Sequence, residues 1–218
     1  MTITSFYEYL NKIFEDDTLF GFSSINEDLE DKTGCKCALV TLLPFPSLQY
    51  MYNAVEYFIM MEDLRKKHIE KLNEIKLLLD MNWVKYTTPP ASPKDDGEYM
   101  AEFSYKWAAI HAGLGFIGKN DVFVHYKYAQ RVRISCLLIN FNLPVFSGDI
   151  SSKCGKCSLC VEACPYKFIT GHTWHMAVKR EELIDYRKCA SKSKHSGEGQ
   201  KYLCAHCSLA CTYPNMII

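Results

Sequence analysis

The sequence predicts an α/β layered domain over residues 1–146 followed by a small cysteine-built module over residues 147–218. Two observations carry this. Apolar strand-like runs alternate with amphipathic helical stretches through the first two thirds of the chain, which is the pattern of a sheet covered by helices. Eight of the eleven cysteines then fall between Cys154 and Cys211, beyond the breakers Pro144 and Gly148. At 218 residues the chain has room for one ordinary domain of about 150 residues and one such module.

Each element has a local reason. Phe6, Leu10, Ile13 and Phe14 share a helical spacing, and Ser5 before them suits a cap. Cys37 to Leu43 is a continuous apolar run stopped by Pro44 and Pro46, so it reads as a buried strand. Ala54 to Leu79 reads as a long helix: Leu64, Leu72, Ile75 and Leu79 lie on one face, while Arg65, Lys66, Lys67, Glu70 and Lys71 make a solvated one. Trp83 to Thr87 reads as a second strand, and the stretch holding Pro89, Pro90, Pro93, Asp95, Asp96 and Gly97 as an exposed loop. A helix from about Tyr99 to Ala112, a glycine loop, and strands at Asp121–Tyr126 and Arg131–Ile139 complete the domain.

The module is read from its cysteines. Cys154, Cys157, Cys160 and Cys164, with Pro165 directly after, form the C-x2-C-x2-C-x3-C-P run of bacterial ferredoxins. There the first three thiolates hold one 4Fe-4S cluster and the fourth reaches across to another. Cys204, Cys207 and Cys211 repeat the spacing of Cys157, Cys160 and Cys164, and Cys189 can supply the missing upstream partner. The expected sets are Cys154, Cys157, Cys160 with Cys211, and Cys189, Cys204, Cys207 with Cys164. Disulfides would need an oxidising compartment, and the N-terminus has neither the basic start nor the apolar core of a secretory signal. A zinc site would leave the x2-x2-x3-Pro run unexplained. Cys35, Cys37 and Cys136 read as structural.

Composition narrows the function classes. Lysine plus arginine number 25, as do aspartate plus glutamate, so no large basic surface is expected for nonspecific nucleic-acid binding. No apolar run approaches the roughly 18 residues of a membrane span, and a cytoplasmic protein with no membrane partner is the expectation. Gly113, Gly115 and Gly118 match G-x-G-x-x-G, and with Lys119 nearly match a phosphate-binding loop. Both motifs work where a strand feeds a helix, whereas here a helix feeds a strand. Asn120 also stands where a magnesium-binding hydroxyl would be. The glycines still allow a tight turn, or close approach of the backbone to a bulky ligand.

At this loop the chain resembles a family. Ile110-His-Ala112-Gly-Leu-Gly-Phe-Ile-Gly-Lys-Asn120 is similar to the glycine-loop segment of epoxyqueuosine reductases, cobalamin-dependent enzymes related to reductive dehalogenases. Leu183-Ile-Asp-Tyr-Arg-Lys-Cys189 and Cys204-Ala-His-Cys207-Ser-Leu-Ala-Cys211-Thr-Tyr-Pro214-Asn215 resemble the family's isolated-cysteine and closing motifs, and Ala38 to Phe45 more loosely its first strand. The resemblance implies a flavin-reductase-like cobalamin domain followed by a ferredoxin-like module with two 4Fe-4S clusters. It implies reductive removal of oxygen or another leaving group from a small molecule or modified nucleoside, with electrons from a carrier such as ferredoxin or flavodoxin. By analogy Gly113, Gly115, Gly118, Lys119 and Asn120 would line the corrinoid.

The chain also departs from the family. The family's acidic proton donor sits in an aspartate-x-x-proline setting that is missing here, and alignment puts Glu98 or Tyr99 nearest that place. Either side chain could give a proton. The sequence stops at Ile218, without the helical-repeat tail that helps such enzymes hold transfer RNA. His111, at a helix end, suits the helix dipole, the core or a ligand. His206 sits between two cluster cysteines, and the polar Ser191–Lys201 stretch, with Lys192, Lys194, His195, Gly197 and Gly199, could dock an acidic carrier. Two readings follow: a compact cobalamin-dependent iron–sulfur reductase, or a cobalamin-free two-cluster electron-transfer or redox-sensing protein.

Overall fold

The structure, a computed structural model, describes residues 1–45, 54–90, 101–194 and 204–214. Glu98, Tyr99, most of the proline-rich loop, and His195, Gly197 and Gly199 lie outside them.

Helix α1 (Ile3–Phe14) starts one turn earlier than its apolar spacing suggests. Thr2 is the cap and Ser5 its reciprocal partner, each side chain bonding the other's backbone N–H. Strand β1 (Phe20–Ser24) and helix α2 (Glu27–Thr33) follow, neither predicted. Strand β2 (Cys37–Pro44) is buried along most of its length, which accounts for its unbroken apolar run. Helix α3 (Ala54–Met81) buries Leu64, Leu72, Ile75 and Leu79 as their spacing requires. The strand expected at Trp83–Thr87 shrinks to β3 (Tyr86–Thr87), because Asn82 and Trp83 close the end of α3 by donating to Leu79 and Asp80. Helix α4 (Tyr105–His111), the hairpin β4 (Gly115–Ile117) and β5 (Phe123–His125), and strand β6 (Val132–Ile139) finish the domain.

The main sheet runs β1-β2-β6-β3, and every adjacent pair is antiparallel. The alternation of strands and helices left the strand order of the layered domain open. Strands β2 and β3 point the same way across the crossover helix α3, but β6 lies between them and pairs with both. The result is a split βαβ arrangement. Helices α1, α3 and α4 enclose one continuous core around it, including Phe6, Leu39, Ile75, Ile110 and Leu137.

The C-terminal module is built of short turns of helix: α5 (Leu159–Glu162), α6 (Arg180–Leu183), α7 (Tyr186–Lys194) and α8 (His206–Leu209). Lys192 and Lys194, expected on a loop, belong to α7. An isolated bridge joins Ile169 to Ile184. Trp174, Leu183 and Tyr186 join the core of the layered domain, so the module is packed onto it. Among the described residues no helix is long and apolar enough to cross a membrane.

Candidate metal centre

The two cysteine-rich half-motifs fold alike. Before α5, Ser158 has φ −125° and ψ 5°; before α8, Ala205 has φ −120° and ψ 4°. After them, Ala163 (φ −71°, ψ −12°) and Ala210 (φ −74°, ψ −11°) end the two turns in the same way. The amide of Cys164 donates to Val161 and that of Cys211 to Ser208, so the equal C-x2-C-x3-C spacing becomes an equal backbone. Helices α5 and α8 pack against each other. That contact brings the fourth cysteine of each half toward the other.

Two hollows lie there. Cys154, Cys157, Cys160 and Cys211 line the first, which encloses about 380 Å³ not filled by atoms, its mouth included. Cys164, Cys189, Cys204 and Cys207 line the second, of about 370 Å³. Two hollows of one size, each with four thiols, suit two copies of one polynuclear group. Among the described residues no three His, Cys, Asp or Glu side chains converge as on a single ion. The thiols surround spaces rather than points.

The surroundings favour bound thiolates over free ones. Burial pushes the Cys160 thiol up to about 12, with Cys154, Cys207, Cys157 and Cys211 adding repulsion. Burial likewise raises Cys189, Cys207 and Cys211. Each hollow holds two of these raised thiols, and positive charge such as a metal supplies is what would let them ionise together. One backbone N–H group already points at them, that of Phe168, which donates to Cys164 Sγ at 3.4 Å. Cys37 and Cys136, by contrast, are buried in the sheet, and burial raises both thiols, Cys37 to about 12.

The glycine loop lies beneath the first hollow. Gly113 turns the chain after α4 at φ +75°, and Gly115 enters β4 where a Cβ would overlap the Val124 carbonyl oxygen. A Cβ on Gly118 would come within 2.9 Å of Asn120 Oδ1 and 3.1 Å of Val124. Hence Gly115 and Gly118 serve contacts within the chain. Gly113 lines a separate open hollow with Thr18, His125 and Lys127. Lys119 and Asn120, only 8 % and 2 % exposed, face the cysteines. Lys119 Nζ donates to the Cys157 carbonyl at 2.9 Å. Asn120 and Gln130 exchange two side-chain bonds, Nδ2 to Oε1 at 3.0 Å and Nε2 to Oδ1 at 2.8 Å. The Asn120 amide also acts on Cys207, favouring its thiolate against the effect of burial. The five residues expected to line one corrinoid thus differ in their surroundings: Gly115 and Gly118 back onto the hairpin, Lys119 and Asn120 face the cysteines, and Gly113 sits against the Phe146 ring at the edge of the separate hollow.

His111 packs against Trp107 at 4.7 Å between ring centres, and its buried Nε2 has no hydrogen-bond partner among the described residues. Burial lowers its pKa. His206 and Lys192 line the second hollow. Sequence reasoning missed Gln130, whose pairing with Asn120 joins positions ten apart and leaves no periodic trace.

Residues 149–170 match the model of the 4Fe-4S binding domain. The chain is 36% identical over 86 residues to epoxyqueuosine reductase of Pseudomonas aeruginosa, a match covering 39% of this chain and 21% of that protein. It is 38% identical over 85 residues to the enzyme of Leadbetterella byssophila, covering 39% and 24%. In fold it matches the epoxyqueuosine reductase of Streptococcus thermophilus with a TM-score of 0.60 at 18% identity, over 98% of this chain and 66% of that one. A further epoxyqueuosine reductase structure, solved with an epoxyqueuosine-modified transfer RNA stem loop, matches with a TM-score of 0.56 at 18% identity, over 96% and 64%. The chain thus spans less than two thirds of these relatives.

Proposed function

The chain is related to the epoxyqueuosine reductases, and on that premise we propose that it is an iron–sulfur reductase passing electrons through two 4Fe-4S clusters toward an organic substrate. The observation that carries this is the pair of four-cysteine hollows of equal size. Cys154, Cys157, Cys160 and Cys211 hold the first cluster; Cys164, Cys189, Cys204 and Cys207 hold the second. Such clusters supply one-electron transfer at potentials that can reach about −700 mV. The division at residues 146 and 147 separates the substrate-side domain from the electron-carrying module.

The chain's own residues set the geometry of that transfer. Cys204 is exposed and Tyr166, beside it in the second hollow, is 46% exposed, so this hollow is the one a soluble donor such as ferredoxin or flavodoxin can approach. Lys192 stands 5.6 Å from the Tyr166 ring, and its charge suits an acidic donor. The first hollow abuts Phe116 and Val124 of the β4–β5 hairpin, on the way to the layered domain. Reductive removal of oxygen or another leaving group needs electrons on that side. A modified nucleoside, free or in transfer RNA, is the substrate class the relatives suggest.

The resemblance also brings in cobalamin, which would supply a low-valent nucleophilic cobalt. The contacts of the glycine loop lend that group little support, since Gly115 and Gly118 back onto the chain and Lys119 and Asn120 turn to the cysteines. That packing is what favours the second reading, a cobalamin-free two-cluster electron carrier. Anaerobic titration of the iron-loaded protein with cob(II)alamin, followed by electron paramagnetic resonance, separates the two. A stoichiometric change in cobalt coordination establishes a corrinoid site and the reductase reading. An unchanged signal with both clusters present leaves the carrier.

A further inference from the structure

Lys119 and Asn120 stand in a loop whose motif suggests phosphate or corrinoid contact, yet both are buried against the cysteine module. Lys119 reaches the Cys157 carbonyl at 2.9 Å and lines the first hollow. Asn120 gives one Nδ2 proton to Gln130 Oε1, and its Oδ1 is occupied by Gln130 Nε2. The second Nδ2 proton is left over, and it is the group of Asn120 that can favour the Cys207 thiolate. Consecutive residues thus touch a ligand residue of each hollow.

Resting on the two-cluster reading, we propose that Lys119 and Asn120 are positioning residues that set the reduction potentials of the two clusters. Reduction adds negative charge to a cluster and its sulfurs. A buried ammonium beside one ligand, or an N–H donated to a ligand sulfur, stabilises the reduced form and raises its potential. Lys119 brings a full charge to the first cluster, while Asn120 brings a dipole to the second. The other cations near the second hollow are weaker rivals: Lys192 is exposed and screened by solvent, and Arg180 is tied to Asp121 at 2.7 Å. The first cluster is consequently the higher in potential, and electrons entering at the exposed second cluster fall toward the layered domain.

The test is a redox titration of the full reconstituted chain, monitored by electron paramagnetic resonance, after iron analysis. A Cys204→Ser variant, which alters the second cluster alone, assigns the two midpoints. Lys119→Gln keeps a donor for the Cys157 carbonyl and removes the charge. It is expected to lower the first cluster's midpoint by about 59 mV or more, a tenfold change in its one-electron equilibrium, and to leave the second in place. Lys119→Arg should restore the wild-type value. Asn120→Ala, at the wall of the first hollow and acting on Cys207, should lower the second midpoint more than the first. Variants with a full iron complement and unmoved midpoints would overturn the proposal while leaving the clusters intact. A wild-type chain that does not take up about eight irons would instead remove the cluster assignment, and the proposal with it.

Discussion

Gly115 is a glycine because β4 and β5 leave its missing side chain no space. A Cβ there would overlap the Val124 carbonyl and press on the Phe123 ring, both backed by the packed hairpin. Gly115→Ala is therefore expected to cost about 1–3 kcal/mol by overpacking and to lower the retention of iron, because Phe116 and Val124 wall the first hollow. Wild-type melting and iron content in this variant would contradict it. His68 makes a second case. It lies on the buried face of α3, 1% exposed, and burial, helped by Arg133 and Lys71, pulls its pKa from 6.5 down to about 3. Thr41 Oγ1 at 2.8 Å and Ser135 Oγ at 3.3 Å satisfy both ring nitrogens of the neutral form. The unfolded chain binds this proton below about pH 6.5 and the folded chain does not until about pH 3, so stability is whole above the first value and falls through the window between them. At about 1.4 kcal/mol per unit the loss reaches several kcal/mol. Denaturant melts should show wild type losing its advantage over His68→Gln as pH drops from 7 to 4; a constant difference would refute this. The leucine spacing of α3 marked this face in the sequence, but the histidine on it carried no sign of its partners, which come from β2 and β6.

At the scale of elements, Asp121 ties three of them together. It sits just before β5 at φ 60°, with its side chain 9% exposed, and pairs with Lys106 of α4 at 2.5 Å and Arg180 of α6 at 2.7 Å. Both cations are about a third exposed, so solvent weakens each pair. Asp121→Asn should still cost about 1.5–3 kcal/mol, the range for hydrogen bonds to charged groups. Because the loss falls where α6 meets the layered domain, limited proteolysis should cut between the two parts sooner than in wild type. An unchanged digestion pattern would show that the apolar contacts of Trp174 and Leu183 suffice alone. Elements carried by periodicity were legible: the buried faces of α1 and α3 and the run of β2 all lie where spacing put them. Strand β1, with Gly21 and two serines among five residues, has no apolar run to read, and it forms because β2 pairs with it. The antiparallel order was equally hidden, since β6 enters the gap between β2 and β3 from 45 residues beyond the latter, Thr87 to Val132.

For the whole molecule, the cysteine module owes its shape to what the thiolates hold. Its helices α5, α6 and α8 are single turns of four residues, too short to stand alone in water. Metal binding then supplies much of the folding free energy. Cys160→Ala or Cys207→Ala should each lose a cluster, roughly halving the iron content, and loosen the module while the main sheet persists. Full iron in both variants would sink the ligand assignment. Spacing alone marked two half-motifs among the cysteines, Cys154 to Cys164 and Cys204 to Cys211, because ligands three residues apart on one short turn can meet a common centre whatever surrounds them. The tertiary structure alone decided where the glycine loop points. Gly113 to Asn120 read locally as a turn near a ligand, and only the docking of the module onto the hairpin brings Lys119 and Asn120 to the cysteines, with Lys119 meeting the Cys157 carbonyl 38 positions away, a contact that no local pattern encodes.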